Sequence, residues 1–180
     1  MTRRKVLMIW SVAACLAAGA LVRAADDTLR IIPIVSKDDV VVSFDGTEAY
    51  TDDVRAAIAS GLQTTLTYEV ELRMYVPTWV DRTIASSVVS VSDKYDNLTR
   101  RHTLSRTIDG RVEQASVTED EAVVMRWLTS FNRLPLIPTS KLDQTRDYYV
   151  RVRARVRPRG TSLVGWTSGI SGQAKFTFVP

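Results

Sequence analysis

The chain has 180 residues, with 24 basic and 20 acidic side chains, one histidine and one cysteine. Four of the basic residues (Arg3, Arg4, Lys5 and Arg23) lie ahead of or beside Ala24, where no acid stands, so the rest of the chain balances at 20 against 20. The basic excess therefore belongs to the N-terminal segment and is no sign of nucleic-acid binding, and with Cys15 in that same segment the remainder has no disulfide or thiol chemistry.

Arg3, Arg4 and Lys5 precede a charge-free apolar run, Val6 to Val22, and Val22 and Ala24 suit the −3 and −1 positions of a signal-peptidase cut. This is the build of a secretory leader over residues 1–24, with Ala20 as an alternative cut. An uncleaved anchor through residues 6–22 is the rival, since a span needs about 17 residues or more and the leading positive charge would keep the N-terminus inside. Val12-Ala13-Ala14-Cys15 resembles a lipobox, although the residues after Cys15 stay apolar. The expected location is exported, periplasmic or envelope-associated. Residues 25–180 make one domain large enough to bury about 70% of its unfolded surface.

In chain order, LRIIPIVSKDDVVVSFDG reads as a hairpin, its two apolar runs parted by Ser36-Lys37-Asp38-Asp39. Pro33 has no amide to donate, which places the first run on an edge or beside a bulge. TDDVRAAIASG follows as a short helix with Thr51 as cap, Asp52 and Asp53 in its first turn and Gly61 at its end. Residues 64–76 alternate strictly. Leu66, Tyr68, Val70, Leu72 and Met74 share one face, and Thr67, Glu69, Glu71 and Arg73 the other, the pattern of a half-buried strand.

TIASSVVSVSDKYD and LTRRHTLSRTIDG read as further strands, joined near Asp96-Asn97 and closed by Asp109-Gly110. TEDEAVVMRWLTSF is a second helix, with Thr118 and Glu121 placed for a capping box and Pro135 and Pro138 marking its exit. DYYVRVRARVR is a strand, a glycine-rich connection follows, and QAKFTFV closes the chain with Ala174, Phe176 and Phe178 on one face. Seven or so alternating strands and two short helices predict a mainly β fold: an antiparallel β-sandwich, immunoglobulin-like in shape.

Little points to chemistry. His102 sits in an alternating segment and is expected to be packed or hydrogen-bonded. No nucleophile elbow, second histidine, Cys-x-x-Cys or EF-hand loop accompanies it, so no catalytic residue, cofactor or metal site is assigned. The glycine-rich stretch lacks the strand–helix context of a phosphate loop.

Two features stand out as candidate interaction surfaces. Strand period puts Val150, Val152, Ala154 and Val156 on one face and Arg151, Arg153, Arg155 and Arg157 on the other. These arginines either pair with Glu69 and Glu71, which have the same two-residue spacing, or guard a sheet edge, or meet an anionic partner such as a lipid headgroup or an acidic protein. The structural readings are the expectation. Trp79, beside Pro77, and Trp166, in the glycine-rich loop, are the exposed-aromatic candidates. Trp79 either forms a recognition platform or plugs the open end of the sandwich, and plugging is expected.

The succession DDVRAAIASG, LTYEVELR, WVDRTIA, YDNLTRRHTLS, EAVVMRWLTSF and YYVRVRARV, over roughly residues 29–157, resembles the bacterial family known as domain of unknown function 4390. The family usually has tyrosine where His102 stands here. The resemblance implies an exported envelope protein, sometimes encoded near membrane sensor kinases, and supplies no catalytic residue. The combined expectation is a non-enzymatic envelope protein that binds another envelope or membrane protein, with anionic lipid as a further contact. A glycan- or lipid-binding module that uses the exposed aromatics is the alternative.

Overall fold

The computed structural model describes residues 29–158 and 169–176. Residues 1–28 with Cys15, the expected strand residue Phe178, Trp166 and most of the glycine-rich connection lie outside the described residues, and Arg157 is described in its backbone alone. The described strands are β1 (Arg30–Val35), β2 (Asp39–Asp45), β3 (Thr64–Met74), β4 (Arg82–Asp96), β5 (Arg101–Ile108), β6 (Arg111–Thr118), β7 (Ser130–Pro138), β8 (Tyr148–Pro158) and β9 (Ile170–Phe176). Helix α1 (Asp52–Ala59) joins β2 to β3, and α2 (Glu121–Thr129) joins β6 to β7. The strands form two antiparallel sheets, one ordered β6-β5-β4-β3-β8-β9 and one ordered β1-β2-β7.

The predicted mainly β, two-sheet arrangement with two short helices is what folds. Likeness to an immunoglobulin domain extends to the layering; the connectivity differs, because β3 to β6 pair in sequence as a meander. Alternation along β3 and β8 makes the inner face: Leu66, Tyr68, Val70, Leu72, Val150, Val152, Ala154 and Val156 are all buried. Val40, Val42 and Phe44 of β2, Phe131 of β7, Val54 and Ile58 of α1, and Val124 and Leu128 of α2 complete one core. Each such side chain contributes about 1.5–3 kcal/mol by leaving water.

At its centre the Tyr68 ring meets Phe44 (5.3 Å between centroids) and Phe131 (4.8 Å), and its hydroxyl donates to the Leu128 carbonyl at 2.9 Å. Burial pushes the Tyr68 phenol well above its ordinary range. Gly172 allows β1 to close over β9: a Cβ there would lie 2.9 Å from both the Leu29 side chain and its carbonyl oxygen.

Several elements differ from the sequence reading. The capping box does not form. Thr118 pairs opposite His102 as the last residue of β6, so α2 starts later and Asp120 caps it, accepting from the Ala122 amide at 2.7 Å. Residues 130–138 form β7 despite Pro135 and Pro138. This strand is an edge, and register shifts in its pairing with β2 absorb the irregularity, a setting in which proline is tolerated. The alternating segment at 64–76 ends as a regular strand at Met74, and the Tyr75 amide donates to the Asp147 carbonyl at 2.9 Å before the chain turns.

Candidate interaction surface

On the outer face of the six-stranded sheet, Glu71 lies opposite Arg151, Glu69 opposite Arg153, and Thr67 opposite Arg155. Arg151 binds Glu71 through both Nε (3.0 Å) and Nη2, and the two side chains are each 23% exposed. Arg155 reaches diagonally to Glu69 at 3.0 Å. That diagonal takes the carboxylate facing Arg153, which forms no ion pair among the described residues. The expected cross-strand pairing with Glu69 and Glu71 therefore occurs. β9 covers the far side of β8 from Tyr148 to Ala154, so edge protection does not account for Arg151 or Arg153.

The β3–β4 turn carries the second feature. Arg82–Val88 of β4 runs past the end of β5, whose pairing begins at Val89, so this half of β4 is a sheet edge, while β8 and β9 flank β3 as far as Met74 and the turn stands at that corner of the sheet. At its tip Trp79 is 81% exposed, Val80 74% and Tyr75 51%. Trp79 therefore does not plug the sandwich. The core is already closed by the aromatic cluster around Tyr68 and by the two helices, which leaves Trp79 nothing to fill.

The turn is held from behind. The Trp79 amide donates to the Val76 carbonyl at 3.2 Å across Pro77 and Thr78, with Thr78 at φ +64°. Positive φ at the second corner residue is the mark of a type II turn, a position that normally favours glycine. Asp81 fastens the turn to the sheet: its carboxylate accepts from the Tyr149 hydroxyl at 2.7 Å and the Val76 amide at 3.2 Å. Its carbonyl accepts from Arg73 Nη2 at 2.8 Å. The Tyr149 and Val76 bonds hold the Asp81 carboxyl below the usual carboxylate range. Burial, reinforced by the bond to Asp81, pushes the Tyr149 phenol up. Asp81 and Tyr149 are 68 positions apart, so nothing local in the sequence showed this lock.

A family model described as domain of unknown function (DUF4390) matches residues 29–161. The chain belongs to this family. No curated protein and no solved structure matches it.

His102 of this DUF4390 domain is packed and hydrogen-bonded, as its place in a strand led us to expect. Its Nδ1 lies 2.8 Å from Asp93 Oδ2, and its ring packs at a tilt against Tyr95, 4.5 Å between centroids. Burial raises the Asp93 carboxyl, and the bond to His102 opposes that shift. Among the described residues, no group of three or more His, Cys, Asp or Glu side chains could hold a metal. In the DUF4390 core, Arg106 lies over the Trp127 and Phe131 rings, 4.7 Å from each, and donates to the Trp127 carbonyl at 3.0 Å. It neutralises the negative end of α2 and is committed to packing.

Proposed function

We propose that this domain is a non-enzymatic binding module of the cell envelope, and that it docks on another envelope component through the Tyr75–Val80 turn. The observation that carries the reading is the exposure of Trp79 on a turn fixed by Asp81. Holding a large apolar ring in water wastes the stabilisation its burial would give, and a pre-ordered anchor of this kind is what a contact surface needs. The arginine stripe supports the module from the side: Arg151 and Arg155 are engaged with carboxylates of the same sheet, which favours their structural role.

A small-ligand module is the second reading, and one observation favours it: Tyr75, Val76, Thr78, Trp79 and Val80 line a hollow. The hollow is shallow, open and made by one turn, whereas a ligand cleft brings together polar groups from several elements.

The test is in-cell photo-crosslinking in the native host, with the reactive residue at position 79 and a control at Leu98, which is exposed at the opposite end of β4. A discrete adduct, protein or lipid, is expected from position 79 alone. No adduct at 79, or the same adducts from both positions, sinks the proposal.

A further inference from the structure

The turn's surroundings say more about what it docks on. Its tip is mostly apolar, with Tyr75, Pro77, Trp79 and Val80 all exposed. The acid nearest the tip, Asp81, is turned back into the bonds with Tyr149 and Val76. Cations ring the base of the turn: Arg82 stands opposite Met74, the pair that adjoins it, and a row across the sheet runs Arg73, Tyr149, Lys175. Arg82 and Lys175 are exposed and form no ion pair among the described residues. Strand spacing puts the Lys175 backbone about 10 Å from that of Arg73. Of the other acids at this end, Asp143 pairs with Arg146, and Asp147 is exposed beside Tyr75.

We infer that the Tyr75–Val80 turn inserts into the interface of an anionic phospholipid bilayer, with Arg82 and Lys175 set against the phosphates. Tryptophan and tyrosine favour the headgroup level because each joins an apolar body to a polar tip. An exposed apolar tip on a fastened turn enters a fluid interface without a matching pocket. Apolar insertion and basic attraction are the two signals that stable peripheral binding needs, each weak alone. The sheet would then stand on the membrane by one corner, leaving β6 and the β4–β5 turn facing away. This inference rests on the docking reading and deepens it.

The experiment mixes the full chain with vesicles of phosphatidylglycerol and brominated phosphatidylcholine, and follows tryptophan quenching against the Trp79→Phe variant. Phenylalanine keeps the turn apolar, so the difference isolates position 79 from the other three tryptophans, whatever residues 1–24 do in the membrane. Quenching that depends on Trp79 is expected, with Val80→Asp abolishing it while the far-UV melt stays unchanged. Arg82→Gln and Lys175→Gln should each weaken the association about fivefold on these vesicles, from ~1 kcal/mol per cation. Their effect should vanish on brominated phosphatidylcholine alone.

Absence of Trp79-dependent quenching on both vesicles overturns the inference. Equal quenching on both, indifferent to Arg82 and Lys175, overturns the role given to the cations. If quenching fails while position 79 yields a protein adduct in cells, the docking reading survives and the lipid falls. If both fail, so does the docking reading.

Discussion

Replacing the three described arginines of β8 one at a time, by glutamine, separates a stripe that supports the sheet from one that serves a partner. The structure ranks them. Arg151 donates twice to Glu71, and both side chains are less than a quarter exposed. Hydrogen bonds to charged groups contribute about 1.5–3 kcal/mol when sheltered; with partial solvent screening, Arg151→Gln should cost about 1–2 kcal/mol. Arg155 is 59% exposed in its pair with Glu69, which puts Arg155→Gln at about 0–1 kcal/mol. Arg153→Gln removes no ion pair among the described residues and should fall within about 0.5 kcal/mol of no change.

For a domain of this size, 1 kcal/mol moves the melting temperature by about 2–4 °C, so far-UV melts should show a drop of roughly 2–8 °C for Arg151→Gln. The drop for Arg155→Gln should be under about 4 °C, and Arg153→Gln should not be resolved from wild type. Raising the salt should erase the Arg155 effect and leave most of the Arg151 effect, because screening acts mainly on exposed charges. A double-mutant cycle of Arg151→Gln with Glu71→Gln should recover most of the single-mutant loss as coupling. Three equal drops, or the largest drop at Arg153, would refute the ranking and with it the assigned pairing.

Three further outcomes follow from named contacts. Tyr68→Phe leaves the buried Leu128 carbonyl without its 2.9 Å donor and should lower urea stability by about 1–2 kcal/mol, with the m-value unchanged; an unchanged midpoint would show that water replaces the hydroxyl. Thr78→Gly relieves a β-branched residue at φ +64° and should raise the melting temperature by about 2–4 °C, the strain released being only partly offset by glycine's entropy; a fall would mean that the Thr78 side chain makes an offsetting contact. The folded Asp81 carboxyl lies below its unfolded value, so the stability of its lock is fully present above about pH 4 and is lost as the pH drops through the lower folded value. NMR order parameters at Trp79 should therefore hold from neutral pH to about pH 5 and fall at lower pH. Tyr149→Phe should move that loss towards higher pH, and a turn equally ordered in strong acid counts against Asp81 as its fastener.

What the sequence showed and what it hid divide along physical lines. β3 and β8 were legible because one face of each is buried and the other wet, which imposes period two. The same periodicity put Glu69 and Glu71 on the face that meets the arginines. The offset was not legible: Arg155, with its long side chain, takes Glu69 on the diagonal, and Arg153, directly opposite Glu69, is left over. β6 was missed because most of it is exposed and no apolar alternation results. β7 was missed because its prolines read as a break, although an edge strand tolerates them. Trp79 was found as a residue and misjudged in direction. Its neighbours in the chain do not say whether a ring points inward; that depends on whether the core has room, and Phe44, Tyr68 and Phe131 already fill it.

The stripe and the turn belong to one construction. A two-stranded hairpin twists and frays readily when it stands alone, because an isolated hairpin is marginal in water. Here β3 is bound along its whole length to β8, from Thr64 opposite Pro158 to Met74 opposite Tyr148. The Glu71–Arg151 pair lies one position along β3 from the core residue Leu72, and two short of Arg73, which reaches the Asp81 carbonyl. On β8, Arg151 stands two residues after Tyr149, whose hydroxyl holds the Asp81 carboxylate. The arginine that the sheet uses most is thus the one nearest the lock of the turn. Loosening it should free Asp81 on both strands at once, so Arg151→Gln should raise the mobility of Trp79 while Arg155→Gln, two residues further along β8 from the lock than Arg153, should not. If the order parameters at Trp79 respond equally to both, the ladder stabilises the sheet without steadying the tip, and the turn must owe its order to Asp81 and Tyr149 alone.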